Sequence, residues 1–232
     1  MAKSARHRRF KPRRWPFFVF LALMVAAVAG LVYIAQPADK DVLPINDRPQ
    51  ETTSVQTTQS IDQPEQSIPA SPVTQIFLPS EDSNLEINNG VLPLDNCRSG
   101  IVPPLDGEYI GAVFGCTDYE YPSTSSTSLS VLAGHSSCLV DTVFNRLNRQ
   151  LESLVGREIW VKTQTSGDKW LVYQIESTFE PPKDELSSME VIWGSPRVST
   201  AGKLALITCL LGDCGGVSTN NLVVMSRFTG IR

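Results

Sequence analysis

The chain has 232 residues with 24 acidic against 20 basic side chains, a formal charge of −4. That balance is uneven: the first 15 residues carry seven Lys/Arg and no acid, which leaves 13 Lys/Arg against all 24 acids beyond residue 35, a formal −11. A basic nucleic-acid surface on the larger part is excluded by that sign, and two His with irregularly spaced Cys match no zinc pattern.

In chain order, residues 1–15 read as a basic cytoplasmic tail and residues 16–35 as a transmembrane anchor. Residues 17–35 hold no charge (FFVFLALMVAAVAGLVYIA), and at about 1.5 Å per residue they span a hydrocarbon layer of roughly 30 Å. Lys and Arg stay on the cytoplasmic side, so everything after residue 35 is expected outside the cell membrane, on a single-pass protein. The small residues at 27–30 (AVAG) suit a signal peptidase, but the apolar run continues past them and exceeds a signal-peptide core of roughly 7–15 residues. An uncleaved anchor is the expectation.

Residues 36–72 are rich in Pro, Gln, Ser and Thr with isolated apolar positions, the composition of a solvated, disordered extracellular tether. Residues 73–232 suit a single domain. Short apolar runs separated by turn residues predict strands: EYIGAVF, LSVLAG, EIWVKTQ, WLVYQIESTF, MEVIW, KLALITCLL and NLVVMS. One stretch, LVDTVFNRLNRQLESL, places Val143, Leu147, Leu151 and Leu154 at three- and four-residue intervals and predicts a helix. The pattern is that of an all-β domain, a closed or nearly closed barrel with a helix in one connection.

Outside the tail, His135 in VLAGHSSC is the only imidazole, and it follows an apolar strand and a glycine. Cys209 ends the apolar run KLALITC. By itself each has a plain structural reading, a satisfied strand-end His and a small buried hydrophobe. Together they supply what nucleophilic catalysis needs, because a thiol becomes useful when a base and acid stands beside it.

The order LAGHS, helix, GREIWVK, WLVYQIESTFEPPKDEL, LALITC and NLVV resembles the sortases, membrane-anchored cysteine transpeptidases. The segment GIVPPLDGEYIGAVFGC is similar to the one before the histidine strand in actinobacterial class E and F members. ALITC resembles the sortase Thr-Leu-x-Thr-Cys signature, with Ala205 in place of its first Thr and with Leu206, Thr208 and Cys209 matching. The resemblance implies an eight-stranded sortase-type barrel with one or two short helices, Cys209 as nucleophile and His135 as general acid to the leaving amine. It also implies a reaction without cofactor, in which a C-terminal sorting signal of the Leu-Pro-x-Thr-Gly type on a surface protein is cleaved through a Cys thioester. The acyl group then passes to an amine of a peptidoglycan precursor or a pilin.

One element departs from the family. Sortases carry Arg at the start of the last strand, where this chain has NNLVV and therefore Asn221. An Asn amide donates a hydrogen bond but lacks the charged fork of Arg. Arg197, in the loop before the cysteine strand, and Arg227, six residues or about 20 Å further along the last strand, are the other candidates for substrate binding and oxyanion stabilisation. A catalytically weak, sortase-like binding or assembly protein is the alternative that Asn221 favours. An L,D-transpeptidase is disfavoured, because ALITC does not resemble its Ser-His-Gly-Cys context.

With Cys209 as nucleophile, Cys97, Cys116, Cys138 and Cys214 remain for two disulfides, with three connectivities open. A Cys138–Cys214 bridge would tie the segment after His135 to the segment after Cys209, and free buried thiols are the plain alternative.

Overall fold

The computed structural model describes residues 67–212, 214 and 216–232. The anchor expected at 16–35 and most of the tether expected at 36–72 lie outside the described residues. Among the described residues no helix is long and apolar enough to cross a membrane.

Eight strands follow in chain order: β1 (Val73–Leu78), β2 (Ile87–Leu94), β3 (Val113–Cys116), β4 (Leu129–Gly134), β5 (Glu158–Thr163), β6 (Leu171–Phe179), β7 (Lys203–Cys209) and β8 (Asn221–Ile231). They close into a barrel in the order β1-β2-β3-β4-β7-β8-β6-β5. Pairing is antiparallel except between β2 and β3 and between β4 and β7. Among the described residues there are two short α-helices, α1 (Asn145–Arg149) after β4 and α2 (Glu190–Trp193) before β7.

The barrel interior is filled by side chains such as Ile76, Leu132, Ile159, Tyr173, Leu206 and Val224. A second apolar layer covers the outside of β4, β7 and β8, where Val131, Ala205, Ile207, Val223 and Met225 pack under Ile192 and the Cys97–Cys116 disulfide. These strands are therefore buried on both faces, which is why β7 is a continuous apolar run rather than an alternating one.

Several expected elements are corrected. MEVIW, expected as a strand, is α2; it buries only Ile192, and Gly194 ends it at φ 85°, a backbone angle that favours glycine. EYIGAVF becomes a strand only from Val113, with Gly107–Tyr109 forming a 3-10 turn. The helix expected over 139–154 is five residues of α1 followed by a 3-10 turn at Leu151–Ser153, although Leu147 and Leu154 are fully buried as the spacing implied. β1 and β2 were not among the expected strands. β2 buries only Ile87 and carries Gly90 and Pro93, so its sequence has neither alternation nor an apolar run.

The boundary expected at Val73 lies too late. Ile68 is 3 % exposed and joins the barrel core, its N–H donates to Thr124 Oγ1, and its carbonyl accepts from Thr124 N–H. The Ser71 hydroxyl meets that of Thr165 at 2.7 Å. Ile68→Ala in the full chain is expected to lower urea-unfolding stability by about 2–4 kcal/mol, the range for emptying a buried Ile site. An unchanged midpoint would show that residues 67–72 lie on the barrel without contributing to it.

Candidate active site

The site follows from one register. In the parallel β4–β7 pair the last matched residues are Ala133 and Ile207, so His135 and Cys209 each lie two residues further along adjacent strands. In the β7–β8 pair Cys209 is opposite Asn221. Three neighbouring strand ends thus carry His135, Cys209 and Asn221 in a row. Side chains alternate along a strand; Leu206 points into the barrel and Ile207 into the outer layer, so Cys209 opens on the outer face.

The backbone at these ends is close-packed. A Cβ on Gly134 would come within 3.0 Å of the Phe144 ring and 3.1 Å of the Ala112 carbonyl, so any larger residue would have to push these neighbours back by a few tenths of an ångström. Beyond it, the buried Asn145 side chain folds the loop back: its Oδ1 accepts from Ser137 N–H and Thr142 Oγ1–H, and its Nδ2 donates to the Ser137 and Val140 carbonyls. Thr142 Oγ1–H also donates to the His135 carbonyl at 2.6 Å. Asn148, on α1, joins both halves of the site: its Nδ2 donates to the Cys209 carbonyl and to Ser136 Oγ, while its Oδ1 accepts from Leu211 N–H at 2.8 Å. The Ser136 and Thr208 hydroxyls, each next to a proposed catalytic residue, are 2.8 Å apart.

His135 Nε2 lies 3.0 Å from the Pro103 carbonyl and 3.2 Å from that of Pro104. Carbonyls only accept, so Nε2 carries hydrogen and Nδ1 is the ring nitrogen left to gain or lose a proton. The segment holding those carbonyls forms one wall of a cleft of about 540 Å³ that contains His135, Cys209 and Asn221. Tyr119 and Trp193, stacked at 5.7 Å, also line it. Burial pushes the Tyr119 phenol above its ordinary value, with Arg98 acting against that shift, so Tyr119 is a neutral hydroxyl at pH 7. A second, more open groove of about 790 Å³ lies between the loops after His135 and after Cys209, and it shares Cys209 and Lys183 with the first.

The other expected residues separate. Arg227 is opposite Lys203, at the end of β7 away from Cys209, and its Nε donates to Glu176 at 2.5 Å. Arg197 is exposed in the turn closed by Ser195 and Val198, which leads into that same remote end, and it lines neither cavity. Asn221 lines the cleft, and its N–H donates to the Pro181 carbonyl. Of the three connectivities, the structure has Cys97–Cys116 and Cys138–Cys214, with Cys209 a free, half-buried thiol. Among the described residues no group of three or more His, Cys, Asp or Glu is placed to hold a metal ion.

Sequence reasoning missed Asn148 and the Pro103–Pro104 carbonyls. No local signal marks either, since each contacts residues distant in the chain. Asn148→Ala removes four hydrogen bonds at once, the fourth being from Nδ2 to the Phe144 carbonyl, and is expected to lower stability by about 1–3 kcal/mol and to slow alkylation of Cys209 by iodoacetamide. An unaltered alkylation rate would separate Asn148 from the positioning of the thiol.

Residues 96–229 match the family model of the Sortase domain. No curated protein matches the chain. Sortase A from Corynebacterium diphtheriae is similar in structure at TM-score 0.48 and 14% identity, over 69% of this chain and 62% of that one. Sortase A of Listeria monocytogenes follows at 0.46 and 16%, over 71% and 90%, and sortase C-3 from Streptococcus pneumoniae at 0.47 and 20%, over 70% and 65%. The chain thus spans less than two thirds of the first and third of these structures. The domain match, by contrast, takes in more than half of this chain, including β4, β7 and all but the last two residues of β8, the strands that carry the site, and on it the chain belongs to the sortase family.

Proposed function

We propose that this chain is a membrane-anchored transpeptidase that cleaves a C-terminal sorting signal of the Leu-Pro-x-Thr-Gly type and passes the surface protein to an amine of a peptidoglycan precursor or a pilin. The observation that carries the reading is the parallel register that sets His135 beside Cys209 at the mouth of a cleft. The actinobacterial class E/F assignment belongs to the same proposal and rests on the segment GIVPPLDGEYIGAVFGC.

The chemistry follows from the groups present. Cys209, as thiolate, attacks the carbonyl carbon of the scissile peptide; a C–S bond forms and the carbonyl π pair moves onto oxygen. When that pair returns, the C–N bond breaks, and the leaving nitrogen takes a proton from His135. With Nε2–H held by the Pro103 and Pro104 carbonyls, the proton that moves is carried by Nδ1. The resulting thioester is attacked by the acceptor amine, which returns its proton to His135 as the C–S bond breaks. The Tyr119 and Trp193 rings that line the cleft reduce the room for water that competes with that amine.

The anchor at 16–35, with the domain outside the membrane, completes the proposal. A catalytically weak binding or assembly protein is the second reading, and Asn221 favours it, because loss of one oxyanion donor costs about 10²–10³ in rate.

The test incubates the full chain in detergent with a panel of Leu-Pro-x-Thr-Gly-type peptides and traps the acyl-enzyme by mass. Cys209→Ala is expected to abolish the adduct, and His135→Ala to lower turnover by about 10²–10⁴-fold, the range for a lost general acid. Peptide cleavage that survives Cys209→Ala would end the transpeptidase reading. Peptide binding by the parent with no adduct would establish the binding-protein reading instead.

A further inference from the structure

We propose that Lys183 supplies the positive charge that faces the substrate carbonyl oxygen as Cys209 is acylated. The inference rests on the transpeptidase reading and adds to it a residue in direct contact with the reacting group.

An oxygen that gains charge during attack by Cys209 lies next to the thiol, so its stabilising partner must border the space around Cys209. Two cavities meet there. The only Lys or Arg side chains lining the first, among the described residues, are Arg98 and Lys183, and Lys183 is the only one lining the second; His135, the remaining positive group in the first, is committed to proton transfer. Arg98 is already engaged: its Nε donates to the Asp118 carbonyl at 3.0 Å, its backbone N–H donates to the Asp118 carboxylate, and its guanidinium lies 4.8 Å over the Tyr119 ring. Lys183 has no ion pair among the described residues, whereas Arg149, Lys203, Arg227 and Arg232 each have one.

Its backbone is fixed relative to the thiol. Residues 180–183 run antiparallel to 219–221 and continue the β6–β8 pairing past Phe179: Pro181 accepts from Asn221 N–H, Pro182 bridges Asn220, and Lys183 N–H donates to the Thr219 carbonyl at 3.0 Å. Pro182 also accepts from Glu185 and Leu186 N–H, which turns the chain immediately after Lys183. Two consecutive prolines fix φ on the approach. Asn221, opposite Cys209, therefore has the Lys183 segment stitched along its outer edge. An ammonium is a compact point charge with three donors on a flexible stem, and it can serve an oxygen at a range of approach angles.

Cys209 is the free cysteine, so the local charge can be read without any peptide. In the full chain, the ratio of the alkylation rates by iodoacetate and iodoacetamide reports the field at the thiol, since only iodoacetate is anionic. Lys183→Met is expected to lower that ratio about two- to fivefold at low ionic strength, and less in added salt, through loss of one nearby charge on an exposed side chain, while Lys183→Arg keeps it and the remote Arg197→Ala leaves it unchanged. Acyl-enzyme formation with the most reactive peptide is expected to fall about 10²-fold in Lys183→Met and to be largely retained in Lys183→Arg. Equal ratios and equal acylation in parent and Lys183→Met would overturn the proposal, as would a ratio that falls with Arg98→Met and not with Lys183→Met. If the ratio falls in Lys183→Met but no peptide acylates the parent, the placement of the charge stands and the transpeptidase reading fails.

Discussion

The parallel pairing of β4 with β7 is the constraint on which the site depends. In a parallel pair equivalent positions advance together, so a side chain two residues past the last match on one strand is adjacent to its counterpart on the other. Ala133 against Ile207 consequently brings His135 to Cys209, and the antiparallel β7–β8 pair adds Asn221 on the far side. A slip of one residue would turn Cys209 toward the barrel interior. Burial on both faces prevents it, because Leu204 and Leu206 fill the barrel while Ala205 and Ile207 fill the outer layer, and the slip would misplace all four.

What covers the strands also forms the cleft. The segment between β2 and β3 is fixed at its start by the Cys97–Cys116 bridge and reaches back over β4 to place two carbonyls on His135. Prolines at 103 and 104 have no N–H and a fixed φ, so that short stretch offers the imidazole acceptors and no competing donors. The Cys138–Cys214 bridge joins the loops that leave His135 and Cys209, with its Cα atoms 5.5 Å apart. Asn148 performs a similar task from the helix side by holding Ser136, Cys209 and Leu211 together. The two catalytic candidates are thus positioned by covalent and hydrogen-bonded links at the strand ends as well as by the sheet.

How much of this was legible depended on how each segment is buried. The run ALITC was legible because β7 is apolar on both faces, and the lone His beyond residue 35 is identifiable by count alone. MEVIW was misread because a run of five carries no usable period: Val191 is exposed and Ile192 buried, which alternation and a single helical turn explain equally well. β2 was missed because a strand with one buried side chain leaves no pattern. Ile68 was assigned to the tether because one apolar residue between polar neighbours looks solvated until its partner Thr124, far along the chain, is known. The same distance in sequence hid Asn148, the proline carbonyls and Lys183. The disulfide connectivity needed the fold, since four cysteines leave three pairings equal.

The position of charge in the cleft shows why family resemblance and residue identity can diverge there. Asn221 is half-buried at the start of β8, bonded through its backbone and flanked by Pro181, so the barrel does not depend on what its side chain is. The adjacent residues Leu222, Val223 and Val224 are fully buried and fixed by packing. A change at 221 costs the fold little, while in acyl transfer one oxyanion partner is worth about 3–4 kcal/mol. The energetic demand at this site is therefore for a charge near the Cys209 carbonyl adduct rather than for a particular residue on β8. A loop cation next to that strand end would meet the demand, and Lys183, on the β6–β7 connection, lines both of the cavities through which acyl donor and amine would have to approach.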